Sequence, residues 1–267
     1  MEIIMNDSSQ SLPQKHAHGH DGHRKRVKDK VKKFGFDPMY DHEVLELLLF
    51  YAIPRRDTNQ LAHDLINHFG SLRDLMDADV ADIENVSGMG ESAAILIKTM
   101  YEMMLRYIKS ADEPIDVYDT FAKVVHYIRV TYLGVKHEVS RALLFDCRMK
   151  MLDSVILGEG DRISTEASLT KLIEAIARKK PAAIILVHNH PTGDPTPSLA
   201  DYQMTQRFFD TLSLMSIVLI EHVIYTERSV HPLMQNSMQY SIEGDCAQKL
   251  GEGFYQRFFF SSAVRNW

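Results

Sequence analysis

Residues 186–201 read LVHNHPTGDPTPSLAD, an apolar strand that runs into a histidine-containing turn. His188 and His190 are one residue apart, so in extended backbone both side chains point to the same side. A single cation could then contact both imidazoles. Catalytic zinc usually has three protein ligands, at roughly 2.0–2.2 Å for N or O, and keeps a fourth position for water. Asp201 is the candidate third ligand, because the prolines and glycine before it favour a turn that folds back towards the histidines.

Each half of this pattern also has an interpretation without a metal. Ser198 followed by Asp201 fits a helix N-cap with an acidic residue three positions on, which is the Asp form of a capping box. His188 and His190 could be a hydrogen-bonded polar pair at the end of a strand. Neither interpretation requires the two halves to adjoin, so the joint pattern favours the metal site.

The joint pattern resembles the motif of the JAB/MPN metalloprotease-like domains (the JAMM motif), in the version carried by bacterial RadC-like proteins. The residues that carry the resemblance are His188-x-His190-Pro191-x-Gly193 and Pro197-Ser198-x-x-Asp201. The family also has a glutamate on an early strand, and Glu138 occupies that place in KHEVSRALLFD at residues 136–146. The resemblance extends over about residues 23–230.

The resemblance implies an α+β fold, with a small all-helical amino-terminal domain followed by a mixed sheet flanked by helices. It also implies a Zn²⁺ site held by His188, His190 and Asp201. Zinc draws the pKa of its water towards about 7. By the same resemblance, Glu138 would be general base and then general acid. Ser198 would donate a hydrogen bond to the oxyanion unless it serves as the cap.

Two functions follow as hypotheses. The first is a zinc-dependent hydrolase of the metallopeptidase type, acting on a peptide or isopeptide bond. The alternative is a DNA-associated protein in which residues 23–110 contact the nucleic-acid backbone and the metal domain is a nuclease or a binding module. The net charge of −6 argues against a broad DNA footprint.

The composition is typical of a soluble globular protein. With 267 residues and 45% hydrophobic content, the chain can bury two modest cores. No apolar run approaches the roughly 18 residues of a membrane span, and polar residues follow the short apolar stretch 1–5, so a secretory signal is not expected. Cys147 and Cys246 are too few for a disulfide framework, and a cytoplasmic location is the expectation.

The amino-terminal segment 1–22 is polar and is expected to be a disordered tail. Four histidines in or beside it could bind a transition metal or could belong to a solvated tail or tag: His16, His18, His20 and His23. Residues 24–33 carry seven positive side chains against one acid, Asp29. Such a run is a solvated helix face or a phosphate-binding face.

Residues 23–110 are predicted to form a helical domain, with helices near 43–51, 58–69, 71–76, 79–84 and 91–109. The Val86-x-Gly88-x-Gly90 turn between the last two resembles a helix-hairpin-helix. Gly88 and Gly90 permit positive φ and let backbone N–H groups approach a phosphate. A turn used only for packing explains the same residues equally well.

A polar linker at 111–118 is predicted to lead to the metal-binding domain at 119–235. The pattern predicts a helix at 120–132, a strand hairpin at 138–146 and 151–157, a helix at 169–179, a central strand at 182–187, a helix at 199–214 and a strand at 217–225. His222, on the last strand, would face the interior near the site. The tail at 236–267 is aromatic-rich and could dock on the body or on a partner.

Overall fold

The structure is a computed structural model that describes residues 19–54, 56–111, 115–160, 165–235 and 242–260. The chain divides into two compact units, residues 1–104 and 105–267. The division falls within a long helix, a few residues before the linker predicted at 111–118. Within the described part of the chain, each helix is too short or too polar to span a bilayer.

The first unit is all-helical, as predicted. Its helices are α1 (Gly19–Phe34), α2 (Asp41–Ala52), α3 (Asn59–Phe69), α4 (Leu72–Asp77), α5 (Val80–Glu84) and α6 (Glu91–Ala111). Apolar residues at helical spacing bury one face of each of α2 to α6 in a common core: Leu45, Leu49, Leu61, Ala62, Leu65, Leu75, Ile83, Ala93, Ala94 and Ile97. Ser71 caps α4 by accepting a hydrogen bond from the Asp74 N–H.

Helix α1 begins at Gly19, inside the segment 1–22 that the sequence predicted to be disordered. The backbone bonds of an opening helical turn need no tertiary contact, so the polar composition does not mark where the helix starts. Of the histidine cluster, His16 and His18 lie outside the described residues. The His23 ring lies 2.7 Å from Glu46 Oε1 on the buried side of α2.

The second unit is built on one mixed five-stranded sheet in the order β2-β1-β3-β4-β5. Its strands are β1 (Val139–Phe145), β2 (Met151–Glu159), β3 (Ala183–Asn189), β4 (Val218–Tyr225) and β5 (Val230–Pro232). β1 is antiparallel to both β2 and β3, β3 is parallel to β4, and β5 returns antiparallel to β4. The helices are α7 (Phe121–Tyr132), α8 (Thr165–Lys179), α9 (Leu199–Leu214), α10 (Ile242–Leu250) and α11 (Phe254–Phe260).

β3 lies at the centre of this sheet, and every one of its residues is buried. The continuous apolar run at 182–187 therefore has the burial that such runs predict for a central strand. Its register with β1 places Ser140 opposite His188, and its register with β4 places Ile224 opposite His188. His188 and His190 therefore lie at the carboxyl end of β3, next to the start of the neighbouring strand β1.

Glu221 is a buried carboxylate on β4, next to His222. Its oxygens accept hydrogen bonds from the backbone N–H groups of His222, Met234 and Gln235, at 2.8, 2.6 and 3.0 Å. Burial raises the pKa of this carboxyl group to about 7, and the backbone hydrogen bonds oppose the shift. Glu221 thereby ties the turn after β5 to the strand that carries His222.

The aromatic tail docks on the body of the second unit. Phe254, Phe258 and Phe259 on α11 are buried in the same core as the sheet. The ring of Phe121 on α7 lies 6.1 Å from the Phe258 ring and 5.4 Å from the Phe259 ring. Sequence left the choice between body and partner open because an aromatic run does not specify the surface that covers it.

We expect Phe258→Ala to destabilise the second unit by about 3–5 kcal/mol, because a fully buried phenylalanine leaves a cavity when truncated. Phe260→Ala on the same helix is the matched control, since Phe260 is 58% exposed. Urea unfolding, followed by pulsed hydrogen exchange of peptides from β3 and β4, measures this unit separately from the helical one. Equal midpoints for the two variants would contradict the docking of α11.

Candidate metal centre

The three predicted ligands converge in the structure. His188 is the penultimate residue of β3, His190 follows the strand directly, and Asp201 lies in the first turn of α9. His188 Nε2 is 2.9 Å from His190 Nε2 and 3.2 Å from Asp201 Oδ1. His190 Nε2 is 3.8 Å from Asp201 Oδ2. One atom of each residue lies within 4.8 Å of the others, so a His-His-Asp group that could hold a metal is present.

The turn between the two halves folds back as the prolines and glycine indicate. Gly193 has φ +84°, a conformation that glycine adopts without strain, and its N–H donates to the His190 carbonyl at 3.1 Å. The Asp194 carboxylate accepts a hydrogen bond from the Thr196 N–H at 2.9 Å. Hydrogen bonds from Thr196 keep the pKa of Asp194 below its ordinary value. The Asp194 carbonyl is then held 2.7 Å from His190 Nδ1.

Ser198 and Asp201 form the capping box, and the same carboxylate also faces the histidines. Asp201 Oδ2 accepts hydrogen bonds from both the backbone N–H and the hydroxyl of Ser198, each at 2.7 Å. Asp201 Oδ1 is the oxygen that approaches His188. The two interpretations of Ser198 and Asp201 are therefore compatible, because each carboxylate oxygen has its own contacts.

The ligand set has the chemistry that a cation requires. The Asp194 carbonyl can only accept, so His190 Nδ1 carries the proton and His190 Nε2 presents a lone pair. Burial, opposed by Asp201 and assisted by nearby His190, lowers the pKa of His188 to about 4. His188 is thus neutral near pH 7. Two imidazole nitrogens and a carboxylate oxygen match a three-ligand metal site.

Glu138 lines the same cavity as the three ligands. The cavity has a volume of about 380 Å³, and its wall includes Ser140, Ser198 and Met204 as well. Glu138 directly precedes β1, whereas the sequence placed it as the first residue of the strand. The difference follows from the pairing of β1 with β2, which begins at Val139, opposite Glu159. Its side chain is exposed, and its carboxylate has no hydrogen bond or ion pair among the described residues.

Asn189 fixes the backbone on both sides of Glu138. Its Oδ1 accepts from the Val139 N–H at 2.7 Å, and its Nδ2 donates to the His137 carbonyl at 2.9 Å. Because side chains alternate along a strand, Asn189 points away from the two histidines and towards β1. Sequence analysis did not identify this role. A buried amide between two candidate ligands was the available signal.

His222 is fully buried and lies directly behind His188, as the strand pattern predicted. His188 Nδ1 is 2.8 Å from His222 Nε2, and His222 Nδ1 is 2.6 Å from Thr205 Oγ1. Thr205 was not identified from the sequence. It lies four residues after Asp201, on the same face of α9, and that spacing is the signal that could have found it.

The turn proposed for nucleic-acid contact lies between α5 and α6. Gly88 has φ +94°, but Gly90 does not have a positive φ. Gly90 instead precedes α6, where its carbonyl accepts from the N–H groups of Ala93 and Ala94, and a residue at that position normally has extended φ and ψ. Arg56 Nη1 donates to the Gly88 carbonyl at 3.3 Å, so the structure places a cation at this turn.

Two family models match the chain. The RadC-like JAB domain matches residues 118–238, which include all five strands and the three candidate ligands. The UPF0758 N-terminal domain matches residues 22–95, which run from α1 to the start of α6. The helical region followed by a mixed sheet is the α+β arrangement expected of such a chain. The chain is therefore a RadC-like protein with a JAB domain.

Proposed function

We propose that the second unit is a zinc-dependent hydrolase of the JAMM metallopeptidase type, which cleaves a peptide or isopeptide bond. The observation that carries the proposal is one cavity lined by His188, His190, Asp201 and the exposed residue Glu138. The JAB-domain match supports a metal-dependent hydrolase fold. Two imidazoles and one carboxylate form a ligand set that suits zinc.

A bound zinc ion would supply a Lewis acid that polarises the substrate carbonyl and lowers the pKa of water to about 7. Glu138 then accepts a proton from the attacking water and later donates it to the leaving amine nitrogen, as the C–N bond breaks. The exposed position of Glu138 at the cavity wall lets its carboxylate reach both water and substrate.

Ser198 has two proposed roles, and its contacts favour one. Its hydroxyl proton is directed at Asp201 Oδ2, and its oxygen accepts from the Asp201 N–H at 3.2 Å. In this rotamer Ser198 orients Asp201. The predicted hydrogen bond to an oxyanion requires the hydroxyl to leave Asp201, because a hydroxyl has one proton to donate.

The experiment for this function is a substrate screen with the zinc-loaded full chain. The panel contains isopeptide-linked peptides, linear peptides, and single- and double-stranded DNA. Cleavage of an isopeptide or peptide bond that stops on chelation and returns with zinc supports the proposal. Cleavage of DNA alone would replace it with a nuclease, and no cleavage at full zinc occupancy would replace it with a binding module.

A second candidate function, contact with the nucleic-acid backbone, is favoured by Arg56 beside the Gly88 turn and by exposed cations on α1. Not every charge of α1 is available. Arg24 donates to the carbonyls of Phe50, Ile53 and Arg56, and Lys30 pairs with Glu43 at 2.7 Å. The exposed remainder on α1 includes Lys25, Arg26 and Lys32.

If these cations contact phosphates, binding of the full chain to duplex DNA should be independent of sequence. The log–log dependence on salt should have a slope of about −0.9 per phosphate contacted. We expect the Arg56→Gln, Lys32→Gln double variant to have a shallower slope in a gel-shift titration. The Arg148→Gln, Lys171→Gln double variant, at two exposed positions of the sheet unit, is the charge-matched control. Absence of any shift at low salt would reduce the Gly88 turn to a packing element.

A further inference from the structure

A chain of buried hydrogen bonds runs from the backbone of α9 to the back of His188. Thr205 Oγ1 donates to the Asp201 carbonyl at 2.6 Å and lies 2.6 Å from His222 Nδ1. His222 Nε2 lies 2.8 Å from His188 Nδ1. Thr205 and His222 are both fully buried, so water does not substitute for these partners.

The direction of each bond in this chain follows from the first one. A carbonyl can only accept, so the single hydroxyl proton of Thr205 goes to Asp201. Thr205 Oγ1 must then accept from His222, which places the proton of the His222 ring on Nδ1. A neutral imidazole has one N–H, so His222 Nε2 accepts, and His188 Nδ1 donates to it. His188 Nε2 is left with its lone pair.

Both ring nitrogens of His222 face neutral hydrogen-bond partners, Thr205 Oγ1 at 2.6 Å and His188 Nδ1 at 2.8 Å. Burial, together with the nearby imidazoles of His188 and His190, also lowers the pKa of His222 well below its ordinary value. The free lone pair of His188 Nε2 is therefore directed at His190 Nε2 and Asp201 Oδ1.

We propose that Thr205 and His222 are positioning residues, which fix His188 in the tautomer whose Nε2 is free to bind a metal. Outer partners of metal-binding histidines commonly set the tautomer in this way, and their loss typically lowers metal affinity by 10–100-fold. The effect on metal affinity rests on the proposed zinc site. The tautomer itself is a property of the metal-free protein.

Thr205→Val should reverse the direction of the hydrogen bonds between His222 and His188. Without the hydroxyl, the His222 Nδ1–H has no acceptor, so the ring gains by placing its proton on Nε2 instead. His222 Nε2–H then donates to His188 Nδ1, and the His188 proton moves to Nε2, where it blocks the metal. Thr205→Ser keeps a hydroxyl and should restore the original direction.

Thr211→Val is the matched control for the loss of a helical hydroxyl. Thr211 lies on the same helix and donates to the Arg207 carbonyl at 2.8 Å, the same type of bond that Thr205 makes to Asp201. A general weakening of α9 would therefore act in both valine variants. An effect confined to Thr205→Val belongs to the chain that ends at His188.

The test has two measurements on the full chain, with His16, His18 and His20 changed to glutamine in every protein to remove tail binding. ¹⁵N NMR of the metal-free protein reads the tautomers of His188 and His222. We expect Nδ1–H on both rings in the wild type, Thr205→Ser and Thr211→Val, and Nε2–H on both in Thr205→Val. Chelator competition should show zinc affinity about 10–100-fold weaker in Thr205→Val only.

The outcomes separate this inference from the proposed function. Unchanged tautomers in Thr205→Val, or equal losses of affinity in the two valine variants, would overturn the role of Thr205. A wild type with the expected tautomers that binds no zinc would overturn the proposed zinc site, while the role of Thr205 and His222 in setting the tautomer would stand.

Discussion

Asp201→Asn should bind no zinc at the site, where the wild type binds about one ion per chain. The substitution replaces a carboxylate by a neutral amide of the same shape. Ser198, the N-cap of α9, is unchanged, and its hydroxyl oxygen still accepts from the backbone N–H of residue 201, so the helix keeps its cap. His188→Ala should have the same effect by removing the nitrogen at the centre of the cluster, which lies 2.9 Å from His190 Nε2 and 3.2 Å from Asp201 Oδ1.

The measurement is metal analysis after dialysis, on the full chain with the tail histidines changed to glutamine. Apparent zinc affinities of finger peptides are roughly 10–16 kcal/mol, and an open site with three protein ligands should be weaker. The control is His231→Ala, a histidine on β5 outside the cluster. Undiminished zinc in both ligand variants would refute the site.

Glu138→Gln should keep zinc and lose hydrolysis. Glu138 lines the cavity without belonging to the three-residue ligand group, so its loss leaves the metal contacts in place. An amide cannot take a proton from water, and general acid–base catalysis typically contributes 10²–10⁴-fold. We therefore expect kcat/KM to fall by about that factor, on whichever substrate the screen identifies.

Glu159→Gln is both the control and the test of a rival base. Glu159 is an exposed residue at the end of β2. It pairs with Val139, the residue directly after Glu138. Its substitution should leave the rate unchanged. A normal rate in Glu138→Gln with a reduced rate in Glu159→Gln would move the general-base role to Glu159.

The fold was largely predictable from local patterns, because its long elements carry clear periods. The apolar run before His188 indicated a buried central strand, and β3 is buried throughout. β5 has three half-buried residues, too few to show an alternation, and it was missed. Its position depends on tertiary contacts. β5 pairs with β4, and the Glu221 carboxylate on β4 accepts a hydrogen bond from the Met234 backbone N–H just after β5.

The candidate site was predictable where the motif itself carries the chemistry. His188, His190 and Asp201 stand at fixed spacings that a reader of the sequence can recognise. Asn189 and Thr205 were not predictable, because their partners are remote or depend on the fold. Asn189 reaches a backbone fifty residues away in sequence. The contact of Thr205 with His222 exists only after α9 packs on β4.

The two carboxylate oxygens of Asp201 have different main partners, and this determines how the fold responds to loss of the metal. Oδ2 accepts hydrogen bonds from the amide and hydroxyl of Ser198 at 2.7 Å, and Oδ1 makes the nearest approach to a histidine, 3.2 Å from His188 Nε2. The start of α9 is thus capped by local hydrogen bonds that do not involve the ion. Small zinc domains unfold when the ion is removed. This protein should instead stay folded without the ion and bind zinc again when zinc becomes available.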